Sequence, residues 1–304
     1  MSQPTTPNMY AGSYVREALK RGLQIEQRTG VNPYKFGVIG STDSHTSLST
    51  ADDDNFFGKH PSFEPNPHRT TAPISFTKEG GRFGWQFLAS GYAAVWARGN
   101  TRAELFDAMM RREVYATTGP RMVVRLFGGW DFNEADLKGN WVRAGYKRGV
   151  PMGGTLRSQR GAKPTFIVSA LKDPIGANLD RVQVVKGWVD TAGHSHEKVF
   201  DVVWSDMAKR AMAGGKVPAV GNTVDTNKAT YANTIGARAL TTVWTDPEFD
   251  PLQRTFYYLR VLEIPTPTWM NYDKVKYQQK LPKDIPLTQQ ERGYTSPIWY
   301  TPSS

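Results

Sequence analysis

The sequence contains no cysteine, which excludes disulfide bridges, a thiolate nucleophile and zinc or iron–sulfur sites held by thiolates. It has only five histidines, so any metal would rest on a few imidazoles and on carboxylates. Long apolar runs are missing too. The stretch at 256–264 is broken by Arg260 and Glu263, well short of the roughly 20 residues a membrane-spanning helix needs, and the chain reads as soluble with no membrane partner. The opening MSQPTTPNMY has neither a basic start nor an apolar core and does not read as a secretory leader. The compartment stays open, since a longer form could be periplasmic or exported. Also absent is any block of basic residues. The 38 Lys and Arg against 28 Asp and Glu give a net charge of +10, but they are scattered singly or in pairs such as Arg111-Arg112 and Lys147-Arg148. No nucleic-acid partner is expected from such a distribution.

What is there is a loop-rich globular composition: 304 residues, 39% hydrophobic, with 28 Gly and 20 Pro, enough for one large domain or two ordinary ones. Residues 13–29 place Val15, Ala18, Leu19, Gly22 and Leu23 on one helical face, with Ser13 available as N-cap and Gly30 as the stop. Next comes YKFGVIG at 34–40, a short run that reads as a buried strand and ends in the polar cluster at 41–45. Residues 50–84 lack periodicity, and a loop of that length is expected to cover a site. GYAAVWA at 91–97 reads as a second buried strand, and a Thr101–Glu104 capping box opens a helix. After residue 119 the rhythm changes to successive strand signals at 122–127, 164–171, 182–189, 198–204, 240–244 and 256–264, as in an antiparallel β-sandwich. The tail, too apolar for a free linker, is expected to pack back on the body. The organisation predicted is thus 1–118, 119–265 and 266–304, and two strands make a thin sheet for the first part.

One constellation carries chemistry. Asp43-Ser44-His45 puts a carboxylate and an imidazole two residues apart at the end of a strand signal, where both could reach one Zn, Mn or Fe ion in the +2 state. The competing reading is a capped loop whose Asp accepts backbone N–H groups. His60 and His68 either line the mouth of the site or are plain loop histidines. Asp52, Asp53 and Asp54 beside them either draw a cation or are a simply hydrated acidic run. Arg98 and Arg102 either hold an anionic substrate group or sit as surface cations near the helix start. His194-Ser195-His196 falls in a turn between two strand signals and reads as a solvated hairpin.

The strings FGVIGSTDSHT (36–46), DNFFGK (54–59), AAVWA (93–97), YATTGP (115–120), FGGWDF (127–132), KGWVD (186–190), PAVGNTV (218–224) and RVLEIPTP (260–267) together resemble a bacterial family. It is the domain of unknown function numbered 3604, which is related to the PHP (polymerase and histidinol phosphatase) metallohydrolases. The resemblance implies an α+β chain: an incomplete, distorted (β/α) barrel followed by the antiparallel β-sandwich. It also implies that Asp43 and His45 match the Asp-x-His pair with which the final PHP strand binds divalent metal. A metal-activated water would then attack a small-molecule phosphoester, carbamate or related ester. The His-x-His pair that opens PHP proteins has no counterpart before Asp43, so the chain is expected to be a C-terminal portion whose missing partner is the N-terminal half of the barrel. The other reading is a catalytically silent β-sandwich binding or assembly module carrying a barrel remnant.

Overall fold

Helix α1, Val15–Thr29, buries Leu19, Gly22 and Leu23 at the spacing that lays an apolar stripe against a neighbour. Tyr14, not Ser13, holds the cap position, and Gly30 ends the helix at φ 79° with its N–H returned to Glu26 O. The computed structural model describes residues 12–302 apart from 49, 50, 78, 79, 90 and 160. The opening residues read above for a leader therefore lie outside the described residues.

In chain order the remaining elements are the hairpin β1 (Pro73–Thr77) and β2 (Gly80–Phe83), β3 (Tyr92–Val95), α2 (Arg102–Met110), β4 (Val114–Thr117), β5 (Val123–Gly129), α3 (Trp141–Arg148), β6 (Gly149–Pro151) and β7 (Thr155–Arg157). Then follow β8 (Thr165–Leu171), β9 (Leu179–Val189), β10 (Ser195–Trp204), β11 (Ala239–Thr245), β12 (Arg254–Glu263), β13 (Thr266–Pro267), α4 (Trp269–Lys276), β14 (Thr288–Gln289), β15 (Arg292–Thr295) and β16 (Ile298–Thr301). An eight-stranded sheet runs β10-β9-β12-β15-β4-β3, with β16 also on β12 and β7 parallel to β16. A four-stranded antiparallel sheet runs β11-β8-β5-β6.

Strand alternation explains how the two sheets pack. Val182 and Val184 of β9 and Tyr257, Leu259 and Val261 of β12 face Val124, Leu126, Phe166 and Val168 of the smaller sheet. The other parity, Val185, Val189, Phe256 and Tyr258, meets Leu19 and Leu23 of α1 on the outer face. Being covered on both sides, β12 reads as a nearly continuous apolar run. On the far face of the small sheet, Phe127 and Ile167 pack against Trp141 and Val142 of α3. Charge pairs are buried in this body: Lys186 Nζ lies 2.6 Å from Asp246 Oδ2, which also accepts from the Tyr257 hydroxyl at 2.7 Å, and Arg210 Nη2 lies 2.6 Å from Asp180 Oδ1.

Several expectations change here. Residues 34–40 form no strand. They cross the face of β4 as half-exposed extended chain, and among the described residues the only hydrogen bond at Val38 N goes to Ser296 Oγ, at 2.9 Å. A Cβ on Gly40 would stand 2.6 Å from Thr117 O and 2.7 Å from Tyr92 O, so this crossing is too close for any other residue. The strand at 92–95 is half-buried because β3 is the sheet edge. The sheet it joins is not thin: β15, from the tail, pairs with both β4 and β12. Residue 119 falls between β4, in the large sheet, and β5, in the small one. The architecture is α+β with antiparallel sheets, and among the described residues they do not close into a barrel. No helix among those residues is long and apolar enough to cross a membrane.

The aperiodic segment at 50–84 is docked on the tail. Phe56 and Phe63 pack with Trp269, Met270 and Ile285. Arg69, 3% exposed, makes a two-pronged bond to Asp273 of α4 and stacks 4.7 Å over the Trp269 ring.

Candidate functional site

Asp43 sits in a tight turn, not on a strand. Its φ of 46° is left-handed, a conformation Asp tolerates better than most residues. The turn is laced to residues 58–60: His45 N donates to Lys59 O at 2.9 Å, and Ser44 Oγ donates to Gly58 O at 3.4 Å. The Lys59 ammonium bonds both the carbonyl and Oδ2 of Asp43. The other oxygen, Oδ1, faces His45 Nε2 at 3.8 Å. The His60 ring stands edge-on to that of His45, centroids 4.7 Å apart. Convergence of Asp43 and His45 was expected from extended backbone; the turn brings it about instead.

The charge of Asp43 is set by contact and not by burial, since its side chain is 78% exposed. The Lys59 hydrogen bond and charge hold the Asp43 carboxyl below its usual range. His60 is pushed down by partial burial and then by the neighbouring His45 and Lys59.

Oδ1 of Asp43 and Nε2 of His45 fit two positions of one coordination shell, because ligands at about 2.0–2.2 Å from an ion lie no more than roughly 4.4 Å apart. Among the described residues no group of three or more His, Asp or Glu closes on a point as a metal cage would.

The remaining candidates lie apart. His68 is exposed in the turn whose N–H bonds Asn66 Oδ1 at 2.8 Å. Arg98 is exposed in the turn after β3, and Arg102 is the exposed first residue of α2, which Thr101 caps through Glu104 N. Among the described residues no hydrogen bond or ion pair joins His68, Arg98 or Arg102 to the Asp43 turn. His194 and His196 lie at the β9–β10 hairpin with side chains 76% and 43% exposed. Asp190 accepts from the Ala192 and His194 N–H groups and lies 2.8 Å from His196 Nε2. Those contacts hold its carboxyl down at about 2.

The acidic run at 52–54 is not simply hydrated. Asp53 Oδ1 accepts the Trp269 N–H at the start of α4, at 2.6 Å, and Gln289 bonds its other oxygen. Burial and the nearby Glu291 push the Asp53 carboxyl well above its usual range.

The model of a family described as protein of unknown function (DUF3604) matches residues 1–302. The chain belongs to the DUF3604 family. No curated protein and no solved structure matches it. In this DUF3604 chain, Lys59 is the residue of the turn that sequence reasoning passed over. The available signal was its neighbour His60, since a Gly-Lys-His step beside an Asp-x-His step places a cation where a carboxylate needs one.

Proposed function

We propose that Asp43 and His45 are two ligands of a divalent-metal centre in a PHP-like hydrolase, to which this chain contributes the barrel's last portion and the β-sandwich. The substrate class is a phosphoester, carbamate or related ester. The observation that carries the reading is the facing of Asp43 Oδ1 and His45 Nε2 at 3.8 Å while Lys59 occupies only Oδ2. That division leaves one carboxylate oxygen free to ligate and fixes the rotamer of the side chain that bears it. Lys59 also keeps Asp43 anionic, the form a ligand needs. His60, edge-on to His45, limits the swing of that imidazole. A zinc, manganese or ferrous ion bound there would supply an acidified water and a clamp for the developing oxyanion.

Two ligands make a weak site, because catalytic centres ordinarily take three from the protein. Calorimetric titration of zinc into the chain should therefore give one weak event that disappears in Asp43→Asn/His45→Ala. Unchanged binding in that variant would remove the reading. The second reading, a binding or assembly module without catalysis, is favoured by the exposure of the Asp43 side chain, which with Lys59 makes an ordinary surface ion pair. It predicts no zinc event in either protein.

A further inference from the structure

Six carboxylates, those of Asp52, Asp53, Asp54, Asp173, Glu263 and Glu291, line one cavity of about 120 Å³. Asp52 to Asp54 come from the docked segment, Asp173 from the turn between β8 and β9, Glu263 from the last residue of β12, and Glu291 from the approach to β15. Both sheets and the docked segment thus meet at this point. In a chain of net charge +10 such a gathering of acid is a marked local reversal. Among the described residues no ion pair reaches any of the six. Arg121, Lys172 and Arg292 stand close enough to be felt. Lys172, however, directs its ammonium to the carbonyls of Asp173, Pro174 and Gly176, and the Arg121 guanidinium lies over the Tyr92 ring, 5.5 Å from its centroid.

The frame of the cavity is built. Asp173 accepts from Arg121 N at 2.6 Å and from Ile175 N at 3.0 Å. Asp53 accepts from Trp269 N, Gln289 Nε2 bonds both Asp53 and Glu291, and the Thr118 hydroxyl donates to Glu291. Glu263 combines deep burial with an unmet oxygen. It is 1% exposed, and its Oε1 has no hydrogen-bond partner. Buried carboxylate oxygens almost always find a donor or a cation.

We propose that this cavity binds a hard divalent cation, calcium or magnesium, with Glu263 as the ligand that reaches it from the sandwich. The donor set is all oxygen, with no histidine among the lining residues, which suits these ions and not zinc or copper. The volume admits an ion with some of its waters, each occupying about 30 Å³. No three carboxylates close on one point among the described residues, so water completes the shell, as hard cations that dehydrate reluctantly allow. Bound there, the ion ties the docked segment to the ends of both sheets. None of the six residues belongs to the Asp43 turn, so the two proposed sites share no ligand.

The test uses the whole chain after treatment with a chelator, reading the thermal midpoint with and without millimolar calcium or magnesium. Terbium luminescence excited through Tyr231 and Tyr272, which also line the cavity, reports occupancy directly. One or both ions should raise the midpoint by several degrees, and terbium emission should appear and be displaced by calcium. Glu263→Gln should start with a higher midpoint and lose the ion response. Asp54→Asn, at an exposed residue, should raise the half-saturating ion concentration about tenfold. Asp43→Asn/His45→Ala should respond as the parent does. An unmoved midpoint with both ions, an equal response in Glu263→Gln, or a response to spermidine but to neither metal would overturn the proposal.

Discussion

The Asp43 turn and the cavity at Glu263 hold the same functional group under opposite conditions. At the turn, an exposed carboxylate has a lysine in contact, and its acidity is raised by that contact. In the cavity, carboxylates are buried together, and desolvation with mutual repulsion makes Asp53, Glu263 and Glu291 weaker acids. A sequence pattern can point to the first arrangement. The second is assembled by distant segments and is the one under electrostatic stress, so the two should answer differently to mutation, pH and ions.

The largest expected effect comes from removing what holds the docked segment over the cavity. Arg69→Met strands the buried Asp273 carboxylate and should lower stability by about 3–5 kcal/mol in urea denaturation. Asp43→Asn/His45→Ala should shift the denaturation midpoint far less, since an exposed ion pair contributes little. A mild Arg69→Met would mean the segment is held by its phenylalanines alone.

Next in size is Glu263→Gln, which should stabilise the ion-free chain by about 1–3 kcal/mol by removing a buried, unpartnered charge. The pH dependence carries a sign. Glu263 titrates higher in the folded chain than in the unfolded one, so its contribution is complete below the ordinary carboxylate range and is lost as pH rises through the raised folded value. Asp43 and Asp190, both lowered, contribute above that range and lose their part as pH falls, in Asp190's case through about 2. The ion-free parent should therefore gain stability on mild acidification and lose it on strong acidification. Glu263→Gln should flatten the mild-acid gain; a variant that keeps the full gain would place the stress elsewhere.

The smallest effect is local. His196→Ala removes the first of the contacts on Asp190, whose carboxyl should move up from about 2 toward its usual value in an NMR titration. Folding should not change, because the hairpin is exposed.

The strand signals downstream of residue 119 correspond one for one to β5, β8, β9, β10, β11 and β12, because period-two patterning and local turns were enough to mark them. Helix α1 was legible for the same reason, through the spacing of Leu19, Gly22 and Leu23. Pairing was not. That β15 would lie between β12 and β4, or that β7 would run parallel to β16, depends on contacts across more than a hundred residues. The run at 34–40 has strand composition, but it crosses a sheet face and has no ladder to join. Short α3 and α4 were hidden among turn residues. At the sites, Asp43 and His45 were visible as a pair; Asp52–54 were visible as a run that either draws a cation or is hydrated, but not the cavity, since Trp269 and Gln289, which enclose Asp53, are distant in sequence. One clue lay in Glu263, an acid inside an otherwise apolar run.

The most direct test of this two-site account is a crossed calorimetric titration of zinc and calcium into three proteins: the parent, Asp43→Asn/His45→Ala, and Glu263→Gln. The account predicts that the zinc event vanishes only in the first variant and the calcium event only in the second. Loss of both events in the same variant, or of neither in either, would contradict it.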